Sequence, residues 1–432
     1  MVKDLHKDFK LRKIKKPNKF IAFMAQLILK VISKRRGVTF EYDNDYKKYK
    51  KQQIVLLSQH ASKDDFIYVF AGSNRQDTHI IMGYQNIFSK FLYGFLKSIG
   101  VIAKFLYQPD VTATRQMLEA VKLGGSLAIF PEGIQSTSGS TQPINPATIA
   151  LLKKLKLPVI LTTLKGSYFT RTRYSTDVKK GKITVSYKTL FTKEDLENMS
   201  VEELNKKLLE KFSYNEHEYF KDKNVEFIGK KPNIYGLDNI IYKCPHCNSE
   251  YRFKVDGENM KCLDCGFEIT MDNYYRIKSV NKTLPFEDID KWYKWQRNVI
   301  KQEVKSNDFI MQAKITLCTL NTQKLDNNLS KKEIGEGELT LTNKGLTYVG
   351  TKDGEQVSMF FDAKNVYSLT ITLKQALDLY YKNEYYYFKL KTNGNQVTKW
   401  MLASEEIHSM YDEVWNNASN EVYNYEDLTK SA

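Results

Sequence analysis

Four of the five cysteines in this 432-residue chain fall into two Cys-x-x-Cys pairs, Cys244 with Cys247 and Cys262 with Cys265, separated by fourteen residues. Two such turns bring four thiolates to the spacing of a tetrahedral zinc site, and four protein ligands leave no open coordination position, so the zinc they imply is structural. A zinc ribbon over residues 240–272 is therefore predicted. His246 lies between two ligands and reads as a solvent-facing knuckle residue. Cys318, alone in the strand-like stretch Ile315 to Leu320, reads as a small buried apolar residue. Five cysteines are too few for a disulfide framework.

The length allows about three domains. With 42% hydrophobic and 27% charged residues, neither a wholly disordered nor a collagen-like chain fits. No run reaches the roughly 18 to 20 apolar residues of a spanning helix; the nearest, Ile21 to Ile32, is broken by Gln26 and Lys30. It is followed by Lys34, Arg35 and Arg36 instead of a small-residue cleavage site, which argues against a secretory signal and for a chain that stays in the cytoplasm.

The formal charge is +16, and residues 1–36 hold twelve Lys or Arg against Asp4 and Asp8, so +10 of it is N-terminal. Anionic partners follow: membrane surfaces, phosphorylated substrates or nucleic acid. Within this basic lead, Phe20, Phe23, Met24, Leu27, Ile28, Val31 and Ile32 recur at three- and four-residue steps, as on one side of a helix. Such a helix either packs on a core or lies in the acyl boundary of a membrane with its cationic flanks over anionic headgroups. The lopsided flanking charge favours the second, so residues 1–36 are expected to be an amphipathic segment peripheral to an anionic membrane.

From residue 54 short apolar runs alternate with helical patterns, the rhythm of a layered α/β domain over residues 37–220. Strands are predicted at Ile54 to Leu57, Leu127 to Phe130 and Pro158 to Leu164. Helices are predicted at Thr112 to Leu123, from Asn145 and Pro146 to Lys156, and after the capping-box pair Ser200 and Glu203 to Phe212. Ile87, Phe88, Phe91, Leu92, Phe95 and Leu96 have the spacing of a core helix that could otherwise line an apolar groove. Residues 221–239 read as a polar linker. Residues 275–432 read as a mainly β domain, a small barrel or sandwich, with helices at Pro285 to Lys305 and Ser404 to Trp415 and a hairpin at Asn343 to Gly345. It faintly resembles pleckstrin-homology and related lipid-binding barrels.

Chemistry concentrates at two strand ends. Directly after the first strand come His60, Ser62 and Asp65; a carboxylate in the first turn of the next helix can orient an imidazole held in the preceding loop. A neutral imidazole takes a proton from an alcohol at cytoplasmic pH if the resulting charge is offset, which Asp65 would do. After the second strand come Phe130, Pro131, Glu132 and Gly133.

These segments resemble the glycerolipid acyltransferase family typified by 1-acylglycerol-3-phosphate acyltransferase. Its first block, Asn-His-x-Ser-x-x-Asp, is matched by His60, Ser62 and Asp65, with Gln59 in the Asn place. Its third, Phe-Pro-Glu-Gly-Thr-Arg-Ser, is matched by Phe130, Pro131, Glu132, Gly133 and Ser136. The fourth appears as Leu157 to Ile160 and the second approximately as Gly100 to Lys104, so the resemblance spans residues 20–215. It implies a membrane-associated enzyme of phospholipid synthesis that moves a fatty acyl group from acyl-CoA or acyl carrier protein to the hydroxyl of a lysolipid such as 1-acylglycerol-3-phosphate. His60 and Asp65 would be catalytic, and Ser62, Lys104, Glu132, Gly133 and Ser136 would bind substrate. The family's third-block Arg and Thr are Gln135 and Ile134 here. An amide cannot make the bidentate grip of a guanidinium on phosphate, so that task falls to Lys104, Arg115 or Lys165, or the acceptor carries no phosphomonoester. Two other classes compete: a zinc-ribbon nucleic-acid-binding protein, disfavoured because no aromatic-basic RNA motif accompanies the ribbon, and a lipid-binding adaptor without turnover.

Overall fold

The computed structural model describes residues 5–145, 147–322, 325, 331–391 and 395–423; Pro146, the expected first helical residue, lies outside them. The chain is a mixed α/β protein of two compact units. The first is built from described residues within 1–171, 180–219 and 321–330, the second from those within 172–179, 220–320 and 331–432.

The first unit is organised on seven strands: β1 (Val38–Tyr42), β2 (Val55–Ser58), β3 (Thr78–Gly83), β4 (Ile102–Lys104), β5 (Ser126–Ile129), β6 (Val159–Lys165) and β7 (Ile183–Phe191). Their order is β1-β7-β6-β2-β5-β3-β4. The pairs β6 with β2, β2 with β5, β5 with β3 and β3 with β4 are parallel, whereas β7 runs antiparallel to β6. Parallel strands are covered on both faces, and every residue of β2 and β5 is buried. The helix Val111–Lys122 starts at Asp110, whose side chain accepts from the Ala113 N–H. The helix Val201–Phe212 starts at the Ser200 and Glu203 capping box foreseen from sequence. Ala113, Met117, Leu152, Leu204 and Leu208 close the core over β2 and β5.

The helix Lys19–Arg35 inverts the usual arrangement. Ala22, Ala25, Gln26 and Ser33 form its inner side, with the Gln26 amide donating to the Phe70 carbonyl on the helix Asp65–Ser73 at 2.8 Å. Phe20, Phe23, Met24, Leu27, Ile28 and Val31 face outward, 42 to 73% exposed. The apolar stripe is thus not the core-facing side. No helix among the described residues is long and apolar enough to cross a membrane.

The stretch expected as one helix through 87–96 is two pieces, a 3-10 turn Tyr84–Ile87 and a helix Tyr93–Ser98. Ile87 and Phe88 are buried while Phe91 and Leu92 stand out in solvent, so the spacing spans a turn and not a single face.

In the second unit the strands β8 (Phe253–Asp256), β9 (Asn259–Cys262), β10 (Glu268–Met271) and β11 (Ile277–Ser279) form an antiparallel meander. Beyond the helix Ile289–Glu303 follow β12 (Ile310–Leu320), β13 (Lys331–Thr342), β14 (Gly345–Lys352), β15 (Glu355–Asp362), β16 (Thr370–Thr372), β17 (Ala376–Tyr381) and β18 (Glu384–Leu390). They make one antiparallel sheet in the order β15-β14-β13-β12-β18-β17-β16, in which the long β12 pairs with both β13 and β18. The expected last helix is two, Val397–Ser409 and Glu413–Tyr423. Asp412 separates them by accepting from the Trp415 N–H at 2.9 Å, an N-cap for the second. The predicted linker is not loose: Phe227, Ile234 and Leu237 are fully buried, and the Phe227 N–H donates to the Asn273 carbonyl at 2.8 Å. Arg297 bridges Glu405 and Glu406 at 2.6 Å each, tying the helix Ile289–Glu303 to Val397–Ser409.

Candidate functional sites

The first site lies at the C-terminal ends of β2, β5 and β6, where loops of an α/β sheet converge. His60 leaves β2 two residues after Ser58, and Asp65 begins the next helix. The His60 Nδ1 lies 3.1 Å from Asp65 Oδ2; the imidazole is 21% exposed and the carboxylate fully buried. Oδ2 also accepts the Ser62 N–H at 2.7 Å, while Oδ1 accepts the Ser62 and Ser167 hydroxyls at 3.0 and 2.6 Å. All four lone-pair directions of an ionised carboxylate are thereby used. With Nδ1–H given to Asp65, Nε2 carries the free lone pair.

The third-block loop is bonded to the same segment. Glu132 Oε1 accepts the His60 N–H at 2.7 Å and Oε2 the Gln142 N–H at 2.6 Å. The Ser136 N–H donates to the His60 carbonyl at 2.8 Å, and the Phe130 ring centre lies 4.8 Å from that of His60. Two blocks about 70 residues apart in sequence thus grip one residue from both sides. Gln59, in the family's Asn place, is bolted to backbone, donating to the Phe212 carbonyl at 2.7 Å and accepting from the Leu164 N–H at 3.3 Å.

The sequence reading made Glu132 and Ser136 substrate contacts; the structure turns both inward. Glu132 is 3% exposed with both oxygens on backbone donors, and the Ser136 hydroxyl donates to the Ser140 carbonyl and accepts from the Gly139 N–H. Gly133 sits in the same loop with φ +76°. Lys104 ends β4, three strands away from β2, with its ammonium on the Phe105 carbonyl at 3.1 Å and burial pushing its pKa down. Arg115 is exposed on the helix Val111–Lys122, and Lys165, at the end of β6, lies over the Tyr219 ring.

Four participants, Ser167, Asp64, Arg36 and Arg171, were missed from sequence. Ser167 reaches Asp65 from the end of β6, after Gly166, whose φ is +87° and whose missing Cβ would fall 2.1 Å from the Lys182 carbonyl oxygen, a place for glycine alone. Asp64 holds Arg36 at 2.6 Å and Arg171 at 2.8 Å, each guanidinium about one-third exposed. A glycine followed by a small polar residue at a strand end was the available signal for Ser167; the Asp64 cluster joins residues too distant in sequence to leave one.

Two buried carboxyls back the site. Burial lifts Glu132 to about 8, against the pull of its two N–H donors and with the Asp65 charge adding to the rise. Burial likewise lifts Glu216 to about 7, opposed by the Tyr214 hydroxyl and the Gly166 and Phe169 N–H groups. Glu132→Ala strands two backbone donors at about 1–3 kcal/mol each, so urea unfolding of the first unit is expected to show a loss of about 2–6 kcal/mol. Because the folded carboxyl titrates near 8, above its ordinary 4.5, its stabilisation is whole below the lower value and is lost as pH rises through the upper one. Unfolding free energy should fall across that window, and the non-ionising Glu132→Gln should flatten the fall.

The second site is the cysteine cluster of the second unit. The sulfurs of Cys244, Cys247, Cys262 and Cys265 all lie within 4.8 Å of one another, with Cys244 to Cys265 and Cys247 to Cys262 at 3.7 Å. A tetrahedron with metal–sulfur bonds of about 2.3 Å has edges of about 3.8 Å, so the donor set fits a four-thiolate metal. Asn248 and Gly266, each directly after the second cysteine of a pair, both have positive φ, the turn that folds each knuckle back. His246 is exposed and bonds the Thr283 carbonyl at 2.9 Å, outside the ligand set.

No protein-family model matches the chain, and no curated protein matches it. Among solved structures, that of the 1-acyl-sn-glycerophosphate (LPA) acyltransferase PlsC from Thermotoga maritima is similar over 47% of this chain and 88% of that one, at 17% identity and a TM-score of 0.39. A likeness of that size assigns no activity.

Proposed function

We propose that the first unit is an O-acyltransferase that moves a fatty acyl group from a thioester, acyl-CoA or acyl carrier protein, to the hydroxyl of a membrane lysolipid in phospholipid synthesis. The observation that carries this reading is the His60 and Asp65 pair, with Nε2 directed away from Asp65 and the loop of Phe130 to Ser136 bonded to the backbone of His60 on both sides. His60 Nε2 takes the proton of the acceptor hydroxyl as its oxygen attacks the thioester carbonyl carbon. Asp65 holds the ring and offsets the imidazolium. The tetrahedral intermediate then expels the thiolate, which recovers the proton from His60, so ester and free thiol are the products. Leu56, Phe66, Val69, Phe70, Ile80 and Phe130 line a narrow apolar crevice, and Phe130 packs against the imidazole with ring centres 4.8 Å apart.

The acceptor we favour is 1-acylglycerol-3-phosphate. Gln135 removes the family's phosphate ligand, but Arg36 and Arg171 set two guanidiniums against the single charge of Asp64, the neighbour of Asp65. Gln135 favours a second acceptor class, glycerolipids without a phosphomonoester. Labelled palmitoyl thioester offered with a panel of lysolipids tests the reaction and the acceptor together: product with lysophosphatidate supports the first, product only with a phosphate-free acceptor the second, and no product with any acceptor defeats the enzyme reading.

The outward stripe of Lys19–Arg35 supports a peripheral seat on the cytoplasmic face of an anionic membrane. Phe20→Ser combined with Ile28→Ser removes about 1.5 kcal/mol or more of burial per side chain. Partition onto phosphatidylglycerol vesicles, read by sedimentation, should fall about 100-fold with an unchanged melting profile. Four thiolates and no open position support structural zinc in the second unit. Nucleic acid is not a proposed partner.

A further inference from the structure

A basic cleft of about 360 Å³ opens in the first unit between the N-terminal lead and the segment before β4, lined by Lys7, Asp8, Arg12, Lys13, Lys15, Lys97 and Gly100. Five cationic side chains line it against one carboxylate. Its floor is built, not incidental. The Arg12 guanidinium donates to the Phe9 and Val101 carbonyls at 2.7 and 2.6 Å and stacks over the Phe9 ring at 4.0 Å. Asp8 fixes Lys97 at 2.7 Å and the Tyr93 hydroxyl at 2.8 Å. Burial draws the Arg12 pKa down to about 10, while Tyr93 and Asp8 oppose the shift. Lys13 and Lys15 stand exposed at the mouth.

The cleft is remote from the chemistry. Gly100 precedes β4, whereas His60 follows β2, and both strands point the same way through β3 and β5. Cleft and imidazole therefore lie at opposite ends of the sheet, about a strand length of 13 Å apart along it and three strands across, and a headgroup seated here cannot present its hydroxyl to His60.

We propose that this cleft is a second, non-catalytic site for a phosphate-bearing polyanion, two phosphates or a phosphate and a second anionic group. A concave surface with one sign of charge focuses its field on such a ligand. Arg12 offers a fixed planar donor at the floor, and the lysines at the mouth supply point charges for a second anionic group. The ligand is either the headgroup of an anionic lipid or a soluble phosphorylated molecule; the chemistry recognised is the same. This inference is independent of the acyl-transfer reading.

The test uses the full chain, inorganic pyrophosphate by calorimetry, and vesicles of phosphatidylcholine with or without phosphatidate by sedimentation. Lys13→Glu with Lys15→Glu reverses two exposed charges at the cleft; Lys50→Glu with Lys154→Glu makes the same change in net charge at exposed positions elsewhere on the first unit. The cleft pair should weaken anion binding about tenfold or more, and the control pair should change it little. Pyrophosphate binding that only the cleft pair weakens supports a soluble ligand. Without pyrophosphate binding, phosphatidate-dependent sedimentation that only the cleft pair weakens, and that phosphatidylglycerol at equal vesicle charge does not reproduce, supports a lipid headgroup; equal sedimentation on phosphatidylglycerol overturns it. Equal weakening by both pairs, or no binding of either probe, overturns the proposal.

Discussion

His60→Ala is expected to reduce acyl transfer by about 10²–10⁴-fold while the melting profile stays as it is. The imidazole makes one side-chain hydrogen bond, to Asp65, and is partly exposed, so little packing is lost with it. Asp65→Asn gives the sharper result. An amide there can donate to Nδ1, which forces the proton onto Nε2 and removes the lone pair meant for the acceptor hydroxyl; the expected loss is about 10⁴-fold. The same change disturbs four hydrogen bonds in a fully buried pocket, so stability must be read beside rate. Ser167→Ala removes one of those four bonds and leaves the tautomer alone, so its rate should fall less than that of either variant. An order of severity with Ser167 at the top, or a His60→Ala protein with undiminished turnover, would remove His60 from the chemistry.

What the sequence could and could not disclose follows from the range of each interaction. Local rules were legible: Ser200 and Glu203 cap their helix because a hydroxyl and a carboxylate three residues apart reach each other's backbone N–H, and β2, β5 and β6 were visible as apolar runs. The pairing of His60 with Asp65 spans only a loop and a helix start. The clasp of Glu132 on the His60 N–H was not legible, since a carboxylate in a loop carries no sign of which way it turns. The outward face of Lys19–Arg35 was half legible. Period gives the stripe, while its direction depends on small residues such as Ala22 and Ala25 letting the other side approach Asp65–Ser73. The break at Asp412 was readable in principle, because Asp is a preferred N-cap; a continuous apolar rhythm hid it. Sheet order in the second unit depends on β12 meeting β18 about 70 residues later, which no local signal encodes.

Removing the zinc proposed for the second unit should produce the largest stability change in the molecule. One zinc per chain is expected by elemental measurement, held by Cys244, Cys247, Cys262 and Cys265. Apparent binding free energies of such sites in isolated zinc-finger peptides reach about 10–16 kcal/mol at neutral pH, and most of that is folding energy when the surrounding core is small. The strands β8 to β11 are short, and the core beside them is largely aromatic: the Trp292 ring packs against Phe253 and Phe286, 5.4 Å from each, and against Phe267 at 6.0 Å. Its indole N–H donates to the Lys243 carbonyl, one residue before the first ligand, at 3.2 Å. Chelation, or Cys244→Ser at a fully buried ligand, should therefore release this contact and shift tryptophan emission to the red. Cys318→Ser, on β12 and outside the cluster, should keep the zinc and the emission. Full retention of the Trp292 environment after complete chelation would mean that the aromatic cluster holds the ribbon without metal, and the four thiols would lose their structural role.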